Sequence, residues 1–175
     1  MSGKVTQMIK EEDVDSRIKE LAAKIDEDYK GEEIFIVCIL RGAAFFACEL
    51  AKRINAPVTI DFMQVSSYGS GTVSSGEVKI IKDIDLSVRD KNVIIVEDIV
   101  DTGNTLSTLR DIFEHRKSKS VKICSLLDKP DRREVEVDID YVGFTVPDKF
   151  IVGYGLDCDQ KYRNLPYIGI VEVDG

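Results

Sequence analysis

The run NVIIVEDIVDTGNTLSTL, residues 92–109, constrains this chain more than any other stretch. Val93, Ile94, Ile95 and Val96 form an uninterrupted β-branched series, too short for a helix of its own, and so predict a strand buried in a parallel sheet. The strand ends in charge. Glu97 and Asp98 stand side by side, Asp101 follows, and then comes the small polar series Thr102-Gly103-Asn104-Thr105. Leu106, Leu109, Ile112 and Phe113 recur at helical spacing, so strand, tight loop and helix follow one another. In open α/β sheets ligands sit beyond the carboxyl ends of strands. A loop of successive backbone N–H groups leading into a helix N-terminus attracts an anion through its unpaired donors and the helix dipole. The stretch therefore reads as a phosphate cradle, with Gly103 permitting the turn and Thr102 and Thr105 adding hydroxyl donors. Two adjacent carboxylates above it repel one another and resist burial unless partnered. A ribose would supply the partners, offering two neighbouring hydroxyls to Glu97 and Asp98 while its 5′ phosphate sits in the loop.

The motif VIIVEDIVDTGNTL, residues 93–106, is similar throughout to the 5-phosphoribosyl-1-pyrophosphate (PRPP) binding motif of the type I phosphoribosyltransferases. With the rest of the chain it most resembles the purine-salvage branch, the hypoxanthine-guanine phosphoribosyltransferases. The resemblance implies an α/β fold, a mainly parallel central sheet flanked by helices with a small hood. One domain would cover residues 1–175, with a core at about 31–145 and the hood built from the N-terminal segment and about 146–175. It also implies an enzyme that moves the 5-phosphoribosyl group from PRPP to N9 of hypoxanthine or guanine, releasing pyrophosphate, with Mg²⁺ as cofactor. A homodimer or homotetramer is expected on the same ground.

Composition narrows the partners. With 175 residues, 43% hydrophobic content and a net charge of −8, the chain suits one globular domain and offers no basic surface for nucleic acid or anionic membrane. Its first fifteen residues lack the apolar core of a secretion signal, and nothing approaches the ~20 apolar residues of a membrane span. A cytoplasmic location is expected. Cys38, Cys48, Cys124 and Cys158 are scattered without a C-x-x-C and read as buried or partly buried free thiols, and the single His115 gives a zinc site little support.

Along the chain, Val14, Ile18, Leu21, Ala22 and Ile25 recur at helical spacing and predict an amphipathic helix over 11–29. IFIVCIL, residues 34–40, reads as a buried strand that meets Arg41-Gly42 before a helix at about 43–54. From these residues alone Leu40-Arg41-Gly42 is as readily a simple turn. In the family that position holds a pyrophosphate-binding loop with a cis peptide, which the resemblance carries onto the Leu40–Arg41 bond. Residues 57–65 predict a further strand, leading into the small polar run 66–76, whose composition predicts mobility. Here the family carries a lid with a Ser-Tyr pair, matched by Ser67-Tyr68. Residues 77–84 read as the returning strand, 121–127 as another buried strand, 131–137 as charged and solvent-facing, and 141–145 as a short strand. Lys129 alone would be a surface charge; the family's matching lysine touches the exocyclic oxygen of a 6-oxopurine.

The run VPDKFIVGYGLDCDQKYR, residues 146–163, resembles the family's base-binding segment along its length. The resemblance assigns Phe150 to stacking on the purine, the main chain of Ile151 and Val152 to the base edge, Asp157 to Mg²⁺ within the purine site, and Arg163 to pyrophosphate. Glu97 and Asp98 are either ribose-linked or stand one step behind the metal. Asp101, in the loop that holds the ribose phosphate, is the acid best placed to take a proton from the purine. Cys158 departs from the tyrosine of many relatives. Two alternatives stay open: a PRPP-sensing binding module, which would not need Lys129, Phe150 and Asp157 together, and transfer to orotate, uracil or adenine, which would need a different base pocket.

Overall fold

The computed structural model describes residues 3–67 and 77–172. Its main sheet has six strands in the order β4-β3-β2-β5-β6-β7, namely β2 (Ile34–Leu40), β3 (Val58–Ser67), β4 (Val78–Lys82), β5 (Asn92–Val100), β6 (Ser120–Asp128) and β7 (Tyr141–Thr145). All neighbours run parallel except β4, which lies antiparallel to β3. The helices are α1 (Glu11–Tyr29), α2 (Ala44–Arg53) and α3 (Asn104–His115).

Alternation along the central strands divides the core in two. Ile34, Ile36, Cys38, Ile94, Val96, Cys124 and Leu126 face α1 and α2, meeting Ile18, Ile25, Phe46 and Leu50. Phe35, Val37, Ile39, Val93, Ile95 and Ile123 face the other way, onto Leu106, Leu109 and Phe113 of α3. Both faces of the inner strands are thus covered, which explains why β2 and β5 read as continuous apolar runs. Helix α1 buries the stripe its spacing predicted, begins with Glu11, Glu12 and Asp13 where the dipole favours acids, and ends at Lys30 in the left-handed region.

A second sheet of three strands, in the order β1-β9-β8, joins β1 (Lys4–Ile9), β8 (Ile151–Val152) and β9 (Ile168–Glu172). Sequence periodicity did not reveal β1 or β9, because their alternation is weak and each depends on a partner at the opposite end of the chain. The strand in the opening motif is also longer than its apolar run: pairing with β6 carries it through Glu97 and Asp98 to Val100. Ser67 ends β3 opposite Val78, while Tyr68 and the rest of the expected lid lie outside the described residues. The thiol reading needs one correction. Cys38, Cys124 and Cys158 are buried, but Cys48 is exposed on the outer face of α2. No helix among the described residues is long and apolar enough to cross a membrane.

Asp61, buried in β3, fastens the connection ahead of β5. Its carboxylate accepts the backbone N–H groups of Phe62 and Asp85 at 2.8 Å and of Leu86 at 3.0 Å. Burial pushes this carboxyl up, but the three amides more than offset it and its pKa is lowered. Asp61→Asn is expected to cost about 1–3 kcal/mol at neutral pH. A lowered folded-state pKa stabilises fully above the ordinary value of 3.8 and is lost as pH falls through the folded value, so the deficit should shrink in acid. Urea titrations of both proteins across pH check this; equal stability at pH 7 would contradict it.

Candidate active site

The parallel register brings the sequence-predicted residues to one edge of the sheet. Cys38 pairs with Val96, so Leu40 and Asp98 end level, and Val100 pairs with Asp128, so Asp101 and Lys129 follow level. Glu97 is buried and Asp98 nearly so. Glu97 Oε1 accepts the N–H of Asp98 at 3.0 Å, and Asp98 Oδ1 accepts the N–H of Ile99 at 2.7 Å. Burial and the neighbouring Asp98 hold the Glu97 carboxyl well above the carboxylate range; burial likewise raises Asp98. The pair therefore favours a ligand that brings hydroxyl donors or a cation.

Two glycines let the loop at residues 40–42 and the segment around Gly155 close on this pair. A Cβ on Gly42 would fall on the Asp98 carboxylate, and one on Gly155, at φ +102°, would fall on the carbonyl oxygen of Gly42. The Leu40–Arg41 peptide is cis, as the resemblance led us to expect. Arg41 Nη1 donates to Gln160 Oε1 at 3.2 Å, and Arg163 Nη2 donates to the same oxygen at 3.0 Å. Arg163 also donates to Gly155 O at 2.7 Å and lies 3.3 Å from Asp157 Oδ1, while Asp157 Oδ2 accepts the N–H of Gln160 at 2.8 Å. Gln160, which sequence reasoning passed over, thus ties the two arginines together; only its place in the 146–163 segment hinted at it.

Beside these loops opens a cleft of about 350 Å³, lined among others by Ile99, Asp101, Lys129, Phe150, Ile151 and Asp157. Lys129 is buried in its wall, where Nζ donates to Lys149 O at 3.0 Å and stands 3.8 Å from Asp148 and 4.0 Å from Asp101. Asp101 Oδ1 is buried without a hydrogen-bond partner among the described residues. Phe150, in the lining of the cleft, is 51% exposed. Val152, by contrast, does not line the cleft; its side chain packs with Cys158 and Val171.

The turn 102–105 lies on the other side of Asp101. Gly103, at φ +85°, is the residue preceding α3, and a hollow of about 90 Å³ is lined by Glu97, Ile99, Val100, Asp101, Thr102, Gly103, Thr105 and Leu106. Asn104 points away: its side chain donates to Glu134 Oε2 at 3.0 Å, and its N–H to the Thr102 hydroxyl at 3.3 Å. A larger cleft of about 570 Å³ lies beyond Arg163 among Glu11, Glu12, Asp15 and Glu49, and Arg163 is the sole sequence-predicted site residue in it. No cluster of three metal-ligating side chains occurs among the described residues. The acids present, Glu97, Asp98 and Asp157, supply hard oxygen donors, which fits a divalent cation completed by ligand and water oxygens.

Comparison with known proteins agrees with this geometry. Residues 6–159 match the phosphoribosyl transferase domain family. The chain is 52% identical over 165 residues to a hypoxanthine-guanine phosphoribosyltransferase of Streptococcus thermophilus, covering 94% of this chain and 92% of that protein. It is 50% identical to the Bacillus subtilis protein of the same name over the same shares. The crystal structure of a hypoxanthine-guanine phosphoribosyltransferase from Bacillus anthracis superposes with a TM-score of 0.93 at 50% identity, covering 98% of this chain and all of that one.

The approach of Gly155 to Gly42 yields a direct test. Gly155→Ala must relieve both a left-handed strain and a backbone overlap, and is expected to destabilise by about 1–3 kcal/mol. Chemical denaturation checks it, and an unchanged midpoint would mean the loops approach less closely than described.

Proposed function

The chain belongs to the phosphoribosyl transferase family, in its hypoxanthine-guanine branch, and from that premise we propose how its residues divide the reaction. The activity is purine salvage. The 5-phosphoribosyl group of PRPP passes to N9 of hypoxanthine or guanine, giving IMP or GMP and pyrophosphate.

In our reading, the turn 102–105 receives the 5′ phosphate on its amides and on the hydroxyls of Thr102 and Thr105, at the N-terminus of α3. Glu97 and Asp98 accept hydrogen bonds from the ribose diol, which would relieve the cost of burying them side by side. Leu40, Arg41, Gly42 and Arg163 receive the pyrophosphate, the two guanidiniums exchanging Gln160 for oxyanions. Phe150 stacks on the purine and Lys129 donates to its 6-oxygen, with the main chain of Ile151 and Val152 at the base edge. The small sheet carrying this segment serves as the hood of a single domain, and Ser67 and Tyr68 belong to a lid. A divalent cation, Mg²⁺ in our reading, would be held by Asp157 and substrate oxygens and supplies positive charge to the departing pyrophosphate.

Bond breaking leads. As the anomeric carbon loses its pyrophosphate oxygen and becomes oxocarbenium-like, purine N9 closes on it from the opposite face, and Asp101 takes the proton released from N7. Arg41 and Arg163 stabilise the charge gathering on pyrophosphate. One observation carries this assignment: the Oδ1 of Asp101, without a hydrogen-bond partner among the described residues, and the Nζ of Lys129 stand 4.0 Å apart, and both residues line one cleft with Phe150. A cytoplasmic homodimer or homotetramer completes the proposal, on resemblance.

Asp101→Asn is expected to lower kcat by about 10²-fold or more, the scale of general-base loss, while PRPP still binds. Rapid-quench rates beside calorimetric PRPP titration measure both, and unchanged turnover excludes the role. Lys129→Ala should raise KM for hypoxanthine far more than KM for PRPP; equal effects would argue against base selection.

A further inference from the structure

Residues 129–135 run beside the chain from the end of β5 into the turn 102–105, and three consecutive carbonyls, those of residues 100–102, are spent on them. Val100 O accepts the N–H of Lys129 at 2.9 Å, Asp101 O accepts Nε of Arg133 at 3.1 Å, and Thr102 O accepts the N–H groups of Glu134 and Val135 at 2.9 and 3.0 Å. Gly103 is packed from the same side: a Cβ there would meet Val135 O at 2.5 Å and Arg133 Cδ at 3.0 Å. Within this strap, among the described residues, Arg133 alone reaches one of these carbonyls through its side chain. Its other arm, Nη2, pairs with the carboxylate of Asp128, the last residue of β6, at a site where both side chains are about four-fifths covered. The guanidinium fork therefore joins the end of β6 to the main chain of Asp101. On the opposite side of Asp101, Lys129 of the same strap stands 4.0 Å from the carboxylate.

We propose that Arg133 is a positioning residue for phosphoribosyl transfer, holding Asp101 by its carbonyl so that its half-exposed carboxylate is presented to the purine. The proposal rests on the reading of Asp101 as proton acceptor. A planar fork satisfies two acceptors in set directions, whereas a lysine ammonium meeting Asp128 has no second rigid arm for Asp101 O. The carboxylate would then swing out of line, and misplacement by about 1 Å costs up to about 10²-fold in rate.

Arg133→Lys, Asp101→Asn and the double variant are compared by single-turnover formation of IMP, with thermal midpoints and KM for hypoxanthine alongside. Arg133→Lys keeps the charge opposite Asp128, so its midpoint should stay close to the parent's and KM for hypoxanthine within about twofold, while the transfer rate falls about 10- to 100-fold. In the Asp101→Asn background the same substitution should cost less than about threefold, because the group it positions is already disabled. Asp128→Asn, which leaves Arg133 in place but weakens its anchor, should show a smaller loss with the same dependence on Asp101, and it decides the matter if Arg133→Lys folds poorly. A parental rate in Arg133→Lys, or equal fold-losses in both backgrounds, overturns the positioning role while leaving the base assignment standing. A parental rate in Asp101→Asn overturns the base assignment itself, and the positioning role with it.

Discussion

Parallel pairing of β2, β5 and β6 in one register is the constraint on which the rest depends. Hydrophobic cover on both faces leaves these strands little freedom to slip, since a one-residue shift would turn each buried side chain of a strand to the wrong layer. That rigidity sets the loops beyond the strands side by side: Leu40-Arg41-Gly42, the acid pair with the turn 102–105, and Asp128-Lys129. The chemistry is carried in the connections, while the apolar runs decide how far apart the connections stand.

Electrostatics then works against the fold at that edge and for the ligand. Glu97 and Asp98 are held in a place where ionised carboxylates are disfavoured, and Asp101 keeps an oxygen buried without a hydrogen-bond partner. Nearby, Arg41 and Arg163 share one neutral acceptor, Gln160. Acids held where their charge is disfavoured thus stand near two guanidiniums that share an amide oxygen, around loops closed by glycines that admit no side chain. In the proposed reading, the hydroxyls of a phosphorylated sugar meet the acid pair and its phosphates meet the guanidiniums.

Much of this was legible from residues. The stripe of α1 and the apolar runs of β2 and β5 follow from periodicity, because burial on one helix face or both sheet faces leaves a pattern that needs no partner to be seen. The acid pair and the strand-to-helix turn that follows it were legible for the same reason, being contiguous. Other features were visible through resemblance alone, such as the cis bond before Arg41 and the joint membership of Lys129 and Phe150 in one cleft. What stayed hidden depends on distant pairing or on main-chain acceptors. β1 and β9 lie at opposite ends of the chain, β8 has two residues, and the strap 129–135 meets the turn through carbonyls that any residue would offer. Arg133, inside the charged run DRREVEV, looks like a solvated side chain until Asp128 and Asp101 are placed beside it.

The central claim is that the turn 102–105 holds the sugar phosphate while Glu97 and Asp98 hold the hydroxyls. A crystal structure of the protein with bound IMP tests it most directly. The account predicts the 5′ phosphate within hydrogen-bond distance of the backbone amides and hydroxyls of residues 102–105, the ribose diol on the acid pair and the base against Phe150. A phosphate seated elsewhere, or a ribose turned away from Glu97 and Asp98, would contradict it.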